Sequence, residues 1–371
     1  MTRSDGRHPG VARRRLVTVV APALAAALVA CSGGAKKKVA APAAPSTTEA
    51  TTTTSTTVLP TTTTTPPVSP LTGLPPADAG KLNRPALVVK IDNLDPVARP
   101  QSGLTKADIC FEEQVEGGIT RFACVWQSND ADLVGPIRST RTTDIAIVSS
   151  LNHPLYAFSG GNTDFLAAIR RAPIVDLGAD TSPAAYFRYG NKPAPHNLYS
   201  RVTTLYGLVP GKVGPPPSQF VYRAAGEAVT SSGAAAATHA DIKFPDVGGP
   251  AVTWDWDASS QTWKRGQNGS ADVTPDGGQI SAANVIFQFV KYTIVGYQTI
   301  GGVTGPIPMA NLVGEGQALI LTGGETIAAT WSKPTATSVT QFADAGGAPV
   351  KLTPGQTWVE LAPLGTPVNS K

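Results

Sequence analysis

In the stretch Leu133–Ala146, LVGPIRSTRTTDIA, Arg138 and Arg141 lie three residues apart among hydroxyl side chains, just after a Gly–Pro turn. If the following apolar run opens a helix, both arginines lie on one side of its first turn. A guanidinium presents a planar fork of donors that matches phosphate or carboxylate. Cations at a helix start oppose the helix dipole, and helix N–H groups there favour anions. A negative group is therefore expected beside the pair, either an internal carboxylate (Asp144 or Glu116) or an anionic ligand. His196 and Asn197 of APHNLY are candidate further donors. Arg99 of ARPQSG and Arg121 of GGITRF complete the candidate ligand-binding set.

Acid–base chemistry has a smaller set of candidates. Asp92, Glu112, Glu113 and Glu116 fall on or near strand-like runs. Alternation puts Glu112, Gln114 and Glu116 on one strand face and Glu113 on the other. Two residues of strand rise, about 6.6 Å, suit either a pair of glycoside-cleaving carboxylates or a solvated face. Glu112, Glu116 and His196 are the candidate acids or bases. The four histidines, His8, His153, His196 and His239, form no metal-binding spacing, so no metal is expected. Ser159 in AFSGGN lacks a nucleophile elbow and reads as part of a glycine turn. No phosphate-cradling loop or other cofactor motif occurs, so no cofactor is expected.

Charge narrows the range of partners. The 371-residue chain has a net charge of +4, but residues 1–30 hold five arginines and one acid. Without them 25 basic and 25 acidic residues remain, and removing residues 31–68 leaves 22 against 24. The remainder is not basic, so no electrostatic footprint for nucleic acid exists. Arg13–Arg15 followed by the apolar run Leu16–Val29 read as an export signal, residues 1–30. At about 1.5 Å per residue this run is too short to span a hydrocarbon core of about 30 Å. LVAC, ending at Cys31, resembles a bacterial lipobox. That resemblance implies cleavage before Cys31, diacylglycerol on its sulfur and anchoring to the outer face of the plasma membrane, with Lys36–Lys38 available to anionic headgroups. Residues 31–68 are Thr/Pro-rich without apolar periodicity and read as a disordered stalk.

The elements that must position these residues are mixed. PALVVKID reads as a buried strand. ADICFEEQVE and ITRFACVW read as a hairpin around Gly117–Gly118. If its loop is residues 116–118, Cys110 faces Cys124 at a separation suited to a disulfide. A two-residue loop shifts the register and leaves two buried thiols instead. DIAIVSSLN, TDFLAAIRR and HNLYSRVTTLYGL read as helices, and PLYAFSG as a strand. Residues 226–240 are low-complexity and read as a linker between an α+β domain, residues 69–225, and a smaller, mostly antiparallel β domain, residues 241–365. In the latter, AVTWDWD and QTWKRG form a hairpin, and QALIL and ETIAATWSK are strands joined at Gly323–Gly324.

The motifs SPLTGL, ARPQSGLTKADI, EGGITRF, GPIRSTR and APHNLY resemble the N-terminal domain of the YerB-like lipoproteins, domain of unknown function 3048. NVIFQFV, GEGQALIL, TWSKP and LTPGQTWVEL resemble its companion C-terminal domain. Arg99, Arg121, Arg138 and Arg141 all lie in these motifs. The cysteine pair departs from the family pattern, so a bridge there is a local stabiliser. The resemblance implies architecture and an envelope location but no reaction. The expected function is a lipid-anchored binding or scaffold module holding an anionic wall polymer, another envelope component or a partner protein on an arginine-lined groove. The alternative is a hydrolase or transferase acting on wall glycan or a phosphodiester-linked polymer.

Overall fold

A computed structural model of the chain describes residues 67–371 apart from 210, 212, 247, 301 and 302. The signal segment 1–30, Cys31 and nearly all of the stalk 31–68 lie outside the described residues.

Strand β1 (Leu87–Asp92) is buried along its whole length, as its apolar sequence requires. The expected hairpin follows as β2 (Ile109–Gln114) and β3 (Thr120–Trp126). Gln114 pairs with Thr120 and Cys110 with Cys124, and the two cysteines are bridged. Gly117 and Gly118 turn the chain with φ of +75° and +73°, a region glycine enters without steric cost. Strands β4 (Leu155–Ala157) and β5 (Val175–Asp176) extend the sheet in parallel beside β1. Three short helices, α1 (Thr143–Val148), α2 (Thr163–Ile169) and α3 (Val202–Tyr206), accompany them.

The second half is strand-rich. β6 (His239–Lys243), β7 (Ala251–Asp257) and β8 (Thr262–Gln267) form the centre of a small antiparallel sheet. β9 (Asn284–Val290) is followed by a two-stranded ribbon, β10 (Tyr292–Ile300) and β11 (Val303–Ala310). β12 (Gly314–Thr322), β13 (Glu325–Lys333) and β14 (Gln341–Asp344) form a meander. β15 (Thr357–Pro363) then inserts in parallel between β9 and β2. Both halves thereby share one large sheet, ordered β14-β13-β12-β9-β15-β2-β3-β1-β4-β5.

Successive residues of β1 alternate between two cores. Leu87, Val89 and Ile91 pack with Trp254, Trp263 and Trp358 under the small sheet. Val88 packs with Ile147 of α1, Tyr156 and Ile320 on the other face.

Three local readings change. HNLYSRVTTLYGL is helical only over α3, because Leu198–Tyr199 pairs with Phe187–Arg188 and Ser200 bridges Val134. Residues 226–240 include Ala235–Ala236, paired with the start of β13, and His239 opens β6. Most consequentially, neither Arg138 nor Arg141 lies within a helix: Arg141 comes just before α1, its carbonyl accepting from Asp144 N at 3.1 Å, and Arg138 lies further upstream. Ile137 donates to Leu198 O at 2.6 Å, Arg138 to Lys90 O and Thr140 to Gly160 O at 2.9 Å each. Sheet-like bonding to neighbouring segments holds residues 137–140 extended, so the first-turn geometry does not arise.

Candidate functional site

Arg121 of β3 lies opposite Asp92 of β1 and opposite Glu113 of β2. Opposed residues project on one face, so a row of charges crosses three buried strands. Within it Arg121 is 4% exposed. Among the described residues its hydrogen bond is from Nη1 to Ser139 O at 3.0 Å, and its buried Nε has no partner. Burial, reinforced by Arg141 and Arg138, pushes its guanidinium down to about 9. It stays charged at neutral pH, but it lacks a directly bonded anion.

The extended segment brings two more arginines to the same place. Arg138 Nε lies 3.2 Å from Asp92 Oδ2, and its own affinity for the proton is lowered chiefly by burial. Arg141 grips Glu116 Oε2 through Nε at 2.7 Å and Nη2 at 2.6 Å, while Nη1 donates to Thr140 O. Glu116 reaches it because β2 ends at Gln114 and the following turn takes Glu116 out of the alternating row. Glu112 and Glu116 therefore do not share a face.

An open cleft of about 340 Å³ is lined by Arg121, Arg138 and Arg141 together with Asn162, Thr163 and Gln298. Asp92 and Glu116 answer two of the three guanidiniums, which leaves Arg121 without a carboxylate bonded to it. Asn162 is fixed as the cap of α2, its side chain accepting from Asp164 N at 2.9 Å.

His196 and Asn197 stand one step behind this cleft. His196 Nδ1 is 2.6 Å from the same Asp92 oxygen that meets Arg138. Asn197 accepts from Arg188 Nη1 at 2.7 Å, and Arg188 adds to the positive field at Arg138. Behind the arginines, Lys90 bridges Glu113 and Asp144, while Asp144 Oδ2 accepts from Arg141 N at 2.7 Å.

Arg99 and Glu112 belong to a different cluster. Arg265 of β8, fully buried, pairs with Glu112 at 2.6 Å and with Asp272. Arg99 Nη2 meets the same Asp272 at 2.9 Å. Glu360 of β15 sits opposite Glu112, and burial, then the Glu112 charge, raises its proton affinity well above the usual carboxylate range. Two arginines thus meet Glu112 and Asp272, with the partly exposed Asp95 also 3.3 Å from Arg99 and Glu360 neutral, and the cluster ties the two halves of the chain together. Among the described residues no group of histidines, cysteines or carboxylates has a metal-holding arrangement.

Asp92 as the shared partner of His196 and Arg138, and Arg188, Asn162 and Gln298 as neighbours, were not assigned these places from the sequence. The GGNT stretch with Asn162 as helix cap carried a legible signal, whereas nothing local marks Gln298.

Two family models match the chain. The N-terminal domain of DUF3048, a protein of unknown function, covers residues 71–213. The C-terminal domain of DUF3048 covers residues 240–359. A relative from Bacillus subtilis (strain 168), named "Putative lipoprotein YerB", is 34% identical over 133 residues, which is 36% of this chain and 39% of that protein. The match therefore spans about two-fifths of that relative. The crystal structure of YerB from Bacillus subtilis aligns with a TM-score of 0.68 and 20% identity, covering 81% of this chain and 99% of that one. The two share a fold.

Proposed function

The chain belongs to the DUF3048 family, whose two domains it carries in order, and from that footing we propose that it is a lipid-anchored envelope protein whose arginine cleft binds an anionic group. The anchor would be Cys31, supported by the lipobox LVAC and by the relative named as a lipoprotein. The ligand would be a phosphate or carboxylate borne by an envelope component or a partner protein.

One observation carries the binding reading. Arg121 is buried at the cleft beside Arg138 and Arg141 and has a backbone carbonyl, not a carboxylate, as its partner. An unpaired buried cation is costly, and an anion entering the cleft removes that cost. Glu112 is locked to Arg265, and Glu116 to Arg141, so these acids act as struts.

A thermal-shift titration with inorganic phosphate and with citrate tests this. At a hundredfold excess over Kd, linkage adds about 2.7 kcal/mol, a rise of several degrees for a chain of this size. Arg138→Gln, altering the most exposed of the three guanidiniums, should remove the rise while the variant still folds. Equal melting temperatures with and without either anion would defeat the proposal.

A further inference from the structure

Strand β13 alternates between buried and exposed residues, with Ile327, Ala329, Trp331 and Lys333 on its buried side. The first three belong to the core that includes Ile147 of α1, so the period of two puts a lysine at a core-facing position. On β9, Gln288 lies opposite Ala318 of β12 and Leu361 of β15, both members of that same core. Opposed residues project on one face, so Gln288 faces it too. The two polar side chains are buried, with Lys333 2% exposed.

Lys333 and Gln288 line one hollow of about 30 Å³, together with Phe111 of β2, Ile147, Phe220 and Phe342 of β14. Ser150 and Gln219 of the same wall are already bonded to each other at 3.2 Å. Lys333 Nζ donates to Ser338 O, a backbone oxygen. Among the described residues no carboxylate answers it, and burial alone brings its ammonium down to about 8. An ammonium carries three donors, and a buried cation without an anion is costly. None of these residues lines the arginine cleft.

We propose that this hollow is a second ligand site, which takes a small monocarboxylate with an apolar body. The carboxylate faces Lys333 and Gln288, and the body lies against Phe111, Phe220 and Phe342. Room of 30 Å³ holds about two waters, comparable to the two oxygens of a carboxylate and too little for a phosphate or a sugar ring. A single lysine also answers one negative charge, not two. The three phenylalanines are half-buried, which leaves ring area to cover the rest of the guest.

Calorimetric titration of the full chain tests this with hexanoate, hexan-1-ol (the same body without the charge) and acetate (the charge without the body). Hexanoate should bind at least about tenfold tighter than either of the others. Lys333→Met, an unbranched apolar replacement, should reduce hexanoate to the hexan-1-ol value. Its melting temperature without ligand should be no lower than that of the wild type, because it removes an unanswered buried cation. Arg138→Gln should leave hexanoate binding unchanged. Hexan-1-ol or acetate binding to the wild type as tightly as hexanoate would overturn the proposal, and so would no binding of hexanoate at all. Hexanoate binding that survives Lys333→Met, or that is lost in Arg138→Gln, would place the carboxylate elsewhere and overturn it as well.

Discussion

Glu113 should make this fold less stable as the pH rises through neutrality. The carboxyl is fully buried on β2, bonded to Lys90, and Lys90 also bonds Asp144 at 2.7 Å. One ammonium between two carboxylates leaves a net negative charge in a dry site. Burial, followed by the Asp144 charge, pushes Glu113 from its ordinary 4.5 up to about 7. A carboxyl whose folded value lies above its unfolded value stabilises the fold in its protonated form. The contribution is complete below about pH 4.5 and is lost as pH climbs through about 7. At 1.36 kcal/mol per pH unit the whole span corresponds to about 3 kcal/mol, most of it lost between about pH 5 and pH 8. Glu113→Gln is a neutral substitute of the same shape. Urea unfolding followed by tryptophan fluorescence, at pH 5 and pH 8, should show the wild type losing about 2–3 kcal/mol more than the variant across that interval. Asp108, pushed by burial to about 6, changes stability in the same direction in both proteins, so the difference isolates Glu113. Identical losses in the two proteins would refute a protonated Glu113.

Other expectations follow from the same packing. Arg265→Ala strands Glu112 as a buried charge and leaves Asp272 to Arg99 alone, and should cost about 3–5 kcal/mol in urea unfolding. Opening the Cys110–Cys124 bridge as a double alanine variant should lower stability by about 3 kcal/mol, as the chain-entropy estimate for a loop of this size implies. Intact mass with and without reductant should differ by two hydrogens in the wild type and by none in that variant.

Much of the architecture near the site was legible locally. The glycine pair at 117–118 marked the hairpin and allowed two registers, of which the structure has the one that opposes Cys110 to Cys124. The apolar runs marked β1, β4, β7, β8, β12 and β13. The segment around Arg138 was misread because the short helix α1 begins only at Thr143, after a stretch whose backbone hydrogen bonds go to Lys90, Leu198 and Gly160. Local periodicity carries no information about such distant partners.

By itself, the sequence determined the strand and turn pattern, the hairpin around Gly117–Gly118, the membership of the arginines in recognisable motifs and the near-neutral charge of the folded part. Those properties depend on residue types and spacings within about ten positions. The tertiary structure alone decided which charge meets which: Glu116 with Arg141, Asp92 with Arg138 and His196, and Glu112 with Arg265 across 153 residues. It also decided that Arg121 arrives at the cleft without a carboxylate, and that an uncharged ribbon from the far half of the chain stands beside it. The parallel insertion of β15 beside β2 in turn sets Glu360 opposite Glu112. Strand order in a sheet is settled by packing among segments distant along the chain, and no local pattern encodes it.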